Sequence, residues 1–252
     1  MAAETKFAWY RNREKDIAAF FSTQNGICYC NDISGLLNHL NQPIECQKWF
    51  LFMDASAQSF KAILIEKASL YVVPLGYTTV TRETYTLIRE VLILISYSDF
   101  CWEVCADFKI IGILMGLQGG YVRHGCFLCQ WNSRDINQFA VTSWPLRTSY
   151  VVGYQNVQHE ALISLDKIRL PPLHVKLGIF KNFLKALDKE SQSVKHLHDL
   201  FPKLSKAKLA AAILNGPDIR KLIRDPVFPT LLSLLERKAW DCMLKVTETF
   251  LG

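Results

Sequence analysis

The stretch from Trp49 to Gly120 restricts the fold more than any other part of the chain. WFLFMDAS, beginning at Trp49, is a compact apolar run that ends in an acid, the pattern of a buried strand. FKAILIE (60–66) alternates and predicts a second strand. LYVVPLGYT (70–78) is rich in strand formers, and Pro74 marks an edge or a bulge because proline cannot donate to a ladder. TRETYTLIREVLILIS (81–96) has helical spacing. Leu87, Val91, Leu94 and Ile95 form its apolar face, and Thr81 and Thr84 are candidate caps. CWEVCAD (101–107) is another strand ending in an acid, and FKIIGILMGLQGGY is an apolar helix closed by Gly119-Gly120. The order strand, strand, strand, helix, strand, helix predicts an α/β fold. Its first and fourth strands end on Asp54 and Asp107.

Composition narrows the rest. A chain of 252 residues, half of them apolar, can bury one sizeable core with an appendage. No apolar run approaches about 18 residues, so no membrane span is expected. The charged start MAAETKFAWYRNREKD carries no apolar run, so no secretory signal is expected. Eight cysteines then point to a reducing, intracellular compartment and to thiols or metal ligands rather than disulfides. Residues 1–46 read as a small helical extension with an aromatic-basic start (Trp9, Tyr10, Arg11, Arg13) and short helices over 17–21 and 33–40. Cys28 and Cys30 fall there in a loop or short strand after Asn25-Gly26 and read as packing residues. The net charge of +6 resides in the last third: from Pro171 onward 14 Lys and Arg face 8 Asp and Glu. That excess suits a polyanion partner, although a lysine-rich helix is more often only a solvated face.

Two strand-end acids in this element order resemble the ribonuclease H-like fold, a mixed sheet flanked by helices in which the first and fourth strands are neighbours. Nucleases and DDE transposases of that fold use such acids, with a third on a later helix, to hold two divalent cations. Two hard cations about 3.5–4 Å apart can activate the attacking oxygen and stabilise the leaving one. Against this stands the plainer reading that Asp54 and Asp107 are turn acids. Glu103 shares a strand face with Asp107 and is either a further acid of the cluster or a surface partner.

The resemblance extends along the chain from about Tyr10 to Gly252. The strings FMDASAQSFKAILI, VCADFKIIGILMGLQGGYVRHGCFLCQWNSR, WPLR, LPPLHVKLGIFKNFLKALDKE, GPDIRKL, KAW and FLG, in that order, resemble a family of transposon-derived, mostly uncharacterised proteins of animal genomes. Those proteins are similar to DDE transposases with a zinc-bearing insertion after the second aspartate, as in Transib-type transposases and the antigen-receptor recombinase. The resemblance implies a ribonuclease H-like core over 47–135 and a basic insertion and helical region over 136–252. It further implies Asp54 and Asp107 as catalytic residues and ligands of Mg²⁺ or Mn²⁺, and DNA strand cleavage and transfer as the ancestral activity.

HGCFLCQW (124–131) places Cys126 and Cys129 two residues apart. The pair is half of a zinc site, a redox pair or two buried thiols. In the resembling enzymes this CxxC is the first half of a Zn²⁺ site, completed by an HxxxH pair and followed by the catalytic glutamate. None of the six histidines here forms HxxxH, and the family pattern puts that pair and the glutamate after FLG, where this sequence stops. An incomplete zinc site, a missing third acid and little or no catalysis are therefore expected. Glu190, Glu236 and Glu248 read as helix-surface charges, and His174 as part of a helix stripe rather than a third zinc ligand.

That stripe lies in PPLHVKLGIFKNFLKALDKE (171–190), where His174, Gly178, Lys181, Lys185 and Lys189 recur at helical spacing on an otherwise apolar helix. Lys181, Lys185 and Lys189 are candidate DNA-phosphate contacts, and plain solvated lysines are the alternative. No phosphate loop, dinucleotide fingerprint, nucleophile elbow or HExxH occurs. The expected partner is DNA, in a nuclear location, with room for self-association. The alternative function is non-catalytic nucleic-acid binding or scaffolding through the basic last third.

Overall fold

The computed structural model describes residues 16–251 except Ala57, residues 80–82 and Tyr121. The aromatic-basic start, Thr81 and Gly252 lie outside the described residues. The chain divides into two compact units, residues 1–170 and 171–252.

The first unit is a mixed α/β structure built on a seven-stranded sheet. Its strands are β1 (Phe21–Gln24), β2 (Ile27–Cys30), β3 (Trp49–Ala55), β4 (Phe60–Glu66), β5 (Val72–Thr78), β6 (Glu103–Ala106) and β7 (Ile168–Arg169), in the order β1-β2-β5-β4-β3-β6-β7. β3, β4 and β5 pair antiparallel in succession, while β6 runs parallel to β3 and β7 parallel to β6. The switch to parallel pairing requires a crossover, and α2 (Tyr85–Leu94) with the short α3 (Tyr97–Phe100) supplies it between β5 and β6. Period-two burial explains why these runs are strands: Trp49, Leu51 and Met53 are fully buried on one face of β3, and Phe60, Ala62 and Leu64 on one face of β4. Each large apolar side chain among them contributes about 1.5–3 kcal/mol on burial.

Several expectations need correction. Residues 16–46 are not a separate helical extension. Asn25 and Gly26, both with positive φ, form the two-residue turn of the β1–β2 hairpin. β2 then pairs with β5, so Cys28 and Cys30 are strand residues, and Cys30 is buried in the common core. α1 (Ile33–His39), capped by Asp32, packs Leu36 and Leu37 into that core. Pro74 sits at a bulge: the β4–β5 register shifts between Ala62 and Ile63, and pairing with β2 ends at Gly76. α2 begins at the Thr84 cap and buries Leu87, Ile88, Val91 and Leu92.

The helix after β6, α4 (Phe108–Leu114), stops earlier than Gly119-Gly120. Gly116 adopts φ +67°, its N–H bonds to the Ile113 carbonyl, and the Leu117 N–H bonds to the Gly112 carbonyl at 2.8 Å. That is a Schellman stop. A Cβ at Gly116 would collide with the His159 carbonyl, so glycine is required there sterically as well. The long irregular segment that follows folds back on the first unit, where Phe127, Val157 and Ile163 join its core. Expected divisions at 46/47 and 135/136 thus differ from the observed one after Leu170.

The second unit is helical: α5 (Pro172–Ala186), α6 (Gln192–Leu200), α7 (Lys206–Ala210), α8 (Gly216–Ile223) and α9 (Leu234–Phe250). Side-chain caps start four of these helices: Ser191, Ser205, Asn215 and Ser233. The Asn215–Asp218 and Ser233–Glu236 pairs are capping boxes. Trp240 on α9 centres the core, with the Phe228, Phe183 and Phe180 rings 5.0, 5.5 and 5.9 Å away. Among the described residues no helix is long and apolar enough to cross a membrane.

Candidate functional site

The β3–β6 ladder pairs Phe50 with Glu103 and continues to Met53 with Ala106. One residue further on each strand stand Asp54 and Asp107. Adjacent strands lie about 4.8 Å apart. Parallel register therefore brings two acids from distant parts of the sequence to neighbouring strand ends. Both are partly exposed.

Each acid also has a local partner. The Asp107 Oδ1 accepts the Ile110 N–H at 2.7 Å and caps α4. This satisfies one of the helix's open donors and leaves the second carboxylate oxygen for another ligand. Asp54 Oδ2 lies 3.6 Å from Lys61 Nζ on β4, an ion pair open to solvent on both sides. Such exposed pairs are weak and exchangeable, worth about 0–1 kcal/mol.

Glu103 does not join them. It sits at the opposite end of β6, paired with Lys67 at 2.7 Å and with Arg169 at 3.6 Å. The Lys67 hydrogen bond, aided by both cations, holds its pKa below the usual carboxylate range. Glu103 is therefore the surface partner of the two roles open to it. Glu236 is engaged in the α9 capping box, and Glu190 and Glu248 are exposed. Among the described residues no group of three or more His, Cys, Asp or Glu side chains is placed to hold one metal ion.

The cysteine loop is built differently, from backbone acceptors around one buried cation. Arg147, only 4% exposed, has no carboxylate partner among the described residues. Its Nε donates to the Cys126 carbonyl at 3.0 Å, one terminal nitrogen to His124 at 3.0 Å, and both terminal nitrogens to Gln155 at 3.2 and 3.3 Å. The Tyr150 hydroxyl donates to the Phe127 carbonyl, and the Arg147 N–H to Leu128. Cys129 bridges to Leu146. WPLR thus clamps HGCFLCQW.

Within the clamp, Cys126 Sγ accepts the Leu128 N–H at 3.3 Å, and the Cys129 sulfur receives one from Trp131. Burial nevertheless raises the Cys129 pKa, and the adjacent Cys126 raises it further. A redox pair needs a lowered thiol pKa, so this environment opposes that reading. Two thiols also fall short of the four donors a closed zinc site requires, and no others converge among the described residues. His174 belongs to the other unit.

In the second unit, His174, Gly178, Lys181, Lys185 and Lys189 are all exposed, but α5 ends at Ala186, so Lys189 follows in a turn. Phe180 is the helix's one fully buried side chain, so less of its circumference is covered than its composition implied. Among the described residues no carboxylate pairs with Lys181, Lys185 or Lys189. His196 and His198 diverge: His196 Nε2 lies 3.1 Å from Asp225 Oδ1, while His198 lines a groove with Lys185 and Lys189.

Sequence reasoning missed Arg147, although a signal existed. Between Phe108 and His159 the sole acid is Asp135, against Lys109, Arg123, Arg134 and Arg147. The even charge balance of residues 1–170 as a whole hides that local excess.

Residues 9–163 match the family model described as Domain of unknown function (DUF8703). Residues 172–252 match a second, Domain of unknown function (DUF8704). The two matches fall one in each structural unit. No curated protein matches the chain.

Proposed function

The chain belongs to the DUF8703 family, and from its strand register and element order we propose that it is a transposon-derived, DDE transposase-like protein. In this reading its sheet is a ribonuclease H-like core that binds a divalent cation and DNA, with little or no strand cleavage of its own. One observation carries the reading: Asp54 and Asp107 lie one step beyond Met53 and Ala106, the last paired residues of adjacent parallel strands. The order β5-β4-β3-β6-β7, three antiparallel strands followed by two parallel to the first, supports it.

The donor set fits one hard cation held by oxygen, with water filling the remaining positions. A bound Mg²⁺ or Mn²⁺ would supply Lewis acidity toward a phosphodiester. Asp107 presents a carboxylate oriented by its Ile110 hydrogen bond, and Lys61 balances Asp54 when no cation is present. With no third carboxylate beside the pair among the described residues, two cations are not held in register, so the reading assigns binding rather than turnover. The Cys126–Cys129 pair, with two donors of the four a closed zinc site needs, does not fit Zn²⁺ among the described residues.

Fluorescence anisotropy of a labelled DNA duplex, with and without Mn²⁺, tests this. Mn²⁺ should tighten binding, and either Asp54→Asn or Asp107→Asn should remove that gain. Equal Mn²⁺ response in wild type and both variants would contradict the reading.

A second reading rests on the exposed, unpaired Lys181, Lys185 and Lys189: non-catalytic nucleic-acid binding through the second unit. Replacing all three by glutamine should then lower the salt dependence of DNA binding. On a log–log plot the slope should fall by about 0.9 for each phosphate no longer neutralised. An unchanged slope would exclude this surface.

A further inference from the structure

An open cleft of about 670 Å³ lies beside the cysteine loop. Arg123, Arg134 and Tyr154 line it, together with His124, Gln155 and Asn156. We propose that this cleft is a nucleotide subsite, in which Arg123 and Arg134 hold a phosphate and Tyr154 offers its ring to a base.

The charge in the cleft is uncompensated. Arg123 and Arg134 are exposed, and no carboxylate among the described residues pairs with either. Asp135, the nearest acid in sequence, turns its Oδ1 to the Asn137 N–H at 3.1 Å. Arg147 adds a third cation behind the wall, bonded to the carbonyls of His124 and Gln155. Three guanidinium groups with no paired carboxylate among the described residues create a field that favours an anion. The planar fork of arginine matches phosphate oxygens two at a time.

The amides around the cleft are already engaged. Asn156 Oδ1 accepts the His124 N–H at 2.9 Å, and its Nδ2 donates to Gln118 at 3.0 Å. Gln155 donates to Gln130 at 3.2 Å. These bonds fix the walls, and the two guanidinium groups are the charged donors open to a ligand. His124 Nδ1 is enclosed without a hydrogen-bond partner, so this wall is not satisfied from within.

Tyr154 separates a nucleotide from a bare oxyanion. It is 58% exposed at the rim, and an exposed ring beside cations is the pairing that binds a base and its phosphate together. The volume also suits one nucleotide. The nucleotide could be free or one unit of a strand. The inference stands on the cleft alone and does not require the aspartate pair.

The test titrates the full chain with labelled single-stranded oligothymidylate and, separately, with thymidine monophosphate. Wild type is compared with Arg123→Gln/Arg134→Gln and with Tyr154→Ala. All three residues are exposed, and circular dichroism confirms that the variants fold. The double arginine variant should bind the oligonucleotide at least tenfold more weakly, with a salt slope lower by about 0.7 for the one phosphate. Tyr154→Ala should weaken binding several-fold at an unchanged slope. Arginine-dependent binding of the oligonucleotide alone identifies a strand as the source; equal dependence for the monophosphate identifies a free nucleotide. Absence of binding by wild type, or binding that the arginine variant leaves intact, overturns the proposal. Asp54→Asn is the separating control: it should leave this binding unchanged in EDTA, whatever becomes of the cation site.

Discussion

The two units hold their candidate residues in different ways. In the first, strand register places Asp54 beside Asp107, and a buried guanidinium fixes the loop of Cys126 and Cys129. Side chains there are positioned by the backbone of distant segments. In the second, Lys181 and Lys185 stand exposed on a helix whose Phe180 and Phe183 pack against Trp240, and Lys189 follows in the turn after it. No ion pair among the described residues fixes those lysines. Geometry that could support chemistry therefore resides in the first unit, whereas the second offers charge. Each difference can be broken by substitution.

The largest effect should come from the core of the second unit. Trp240→Ala removes the ring against which three phenylalanines pack and should cost about 3–5 kcal/mol. Amide exchange should lose protection in α5, α6 and α9. Retained protection in those helices would show that Trp240 is not the centre of that core.

Next comes the clamp. Arg147→Ala leaves the carbonyls of His124, Cys126 and Gln155 without their donor, at a cost of about 2–5 kcal/mol. Arg147→Lys, which lacks the planar fork, should restore only part of it. Alkylation of Cys126 and Cys129 reads the outcome, since a released loop should react faster than the partly buried thiols of wild type.

A smaller effect separates the two roles of Asp107. Asparagine caps a helix about as well as aspartate, so Asp107→Asn should keep stability, and Asp107→Ala should cost about 1 kcal/mol. Thermal melts of both variants check this. A large loss in Asp107→Asn would mean that the charge, rather than the cap, holds the strand end.

The smallest effect is a pH dependence in the second unit. Burial raises the Asp225 pKa, but the Phe228 N–H and His196 outweigh it, so the folded pKa lies below the usual value. A depressed carboxylate contributes stability above its unfolded pKa, near 4, and loses it as pH falls through the folded pKa. Urea midpoints measured from pH 6 downward should decline less steeply in Asp225→Asn than in wild type. Parallel declines would remove Asp225 from the account.

How much of this was legible in the sequence follows from the range of the forces involved. Period-two burial in WFLFMDA and FKAILIE and the helical spacing after Thr84 are local patterns, and the elements stand close to their expected bounds. Asn25-Gly26 is likewise a local hairpin signal, but the pairing of β2 with β5 that brings the hairpin into the sheet is not local. Three glycines lie within five residues after α4, and a carbonyl from His159 decides that Gly116 ends the helix. The role of Arg147 was hidden for the same reason: a local excess of cations marks its stretch of chain, but its partners are main-chain carbonyls, which no residue type announces. The acids Asp54 and Asp107 could be named from strand ends, whereas their local partners, Lys61 and the Ile110 N–H, emerge only from the fold.

The most direct test of the central claim, that register makes Asp54 and Asp107 one cation site, is a count of bound Mn²⁺ by electron paramagnetic resonance. Wild type, Asp54→Asn, Asp107→Asn and the double variant are titrated at equal protein concentration. The account predicts one weak site in wild type, lost equally in either single variant, with no further loss in the double. Independent, additive losses, or a site that survives both substitutions, would show that the two acids do not act together.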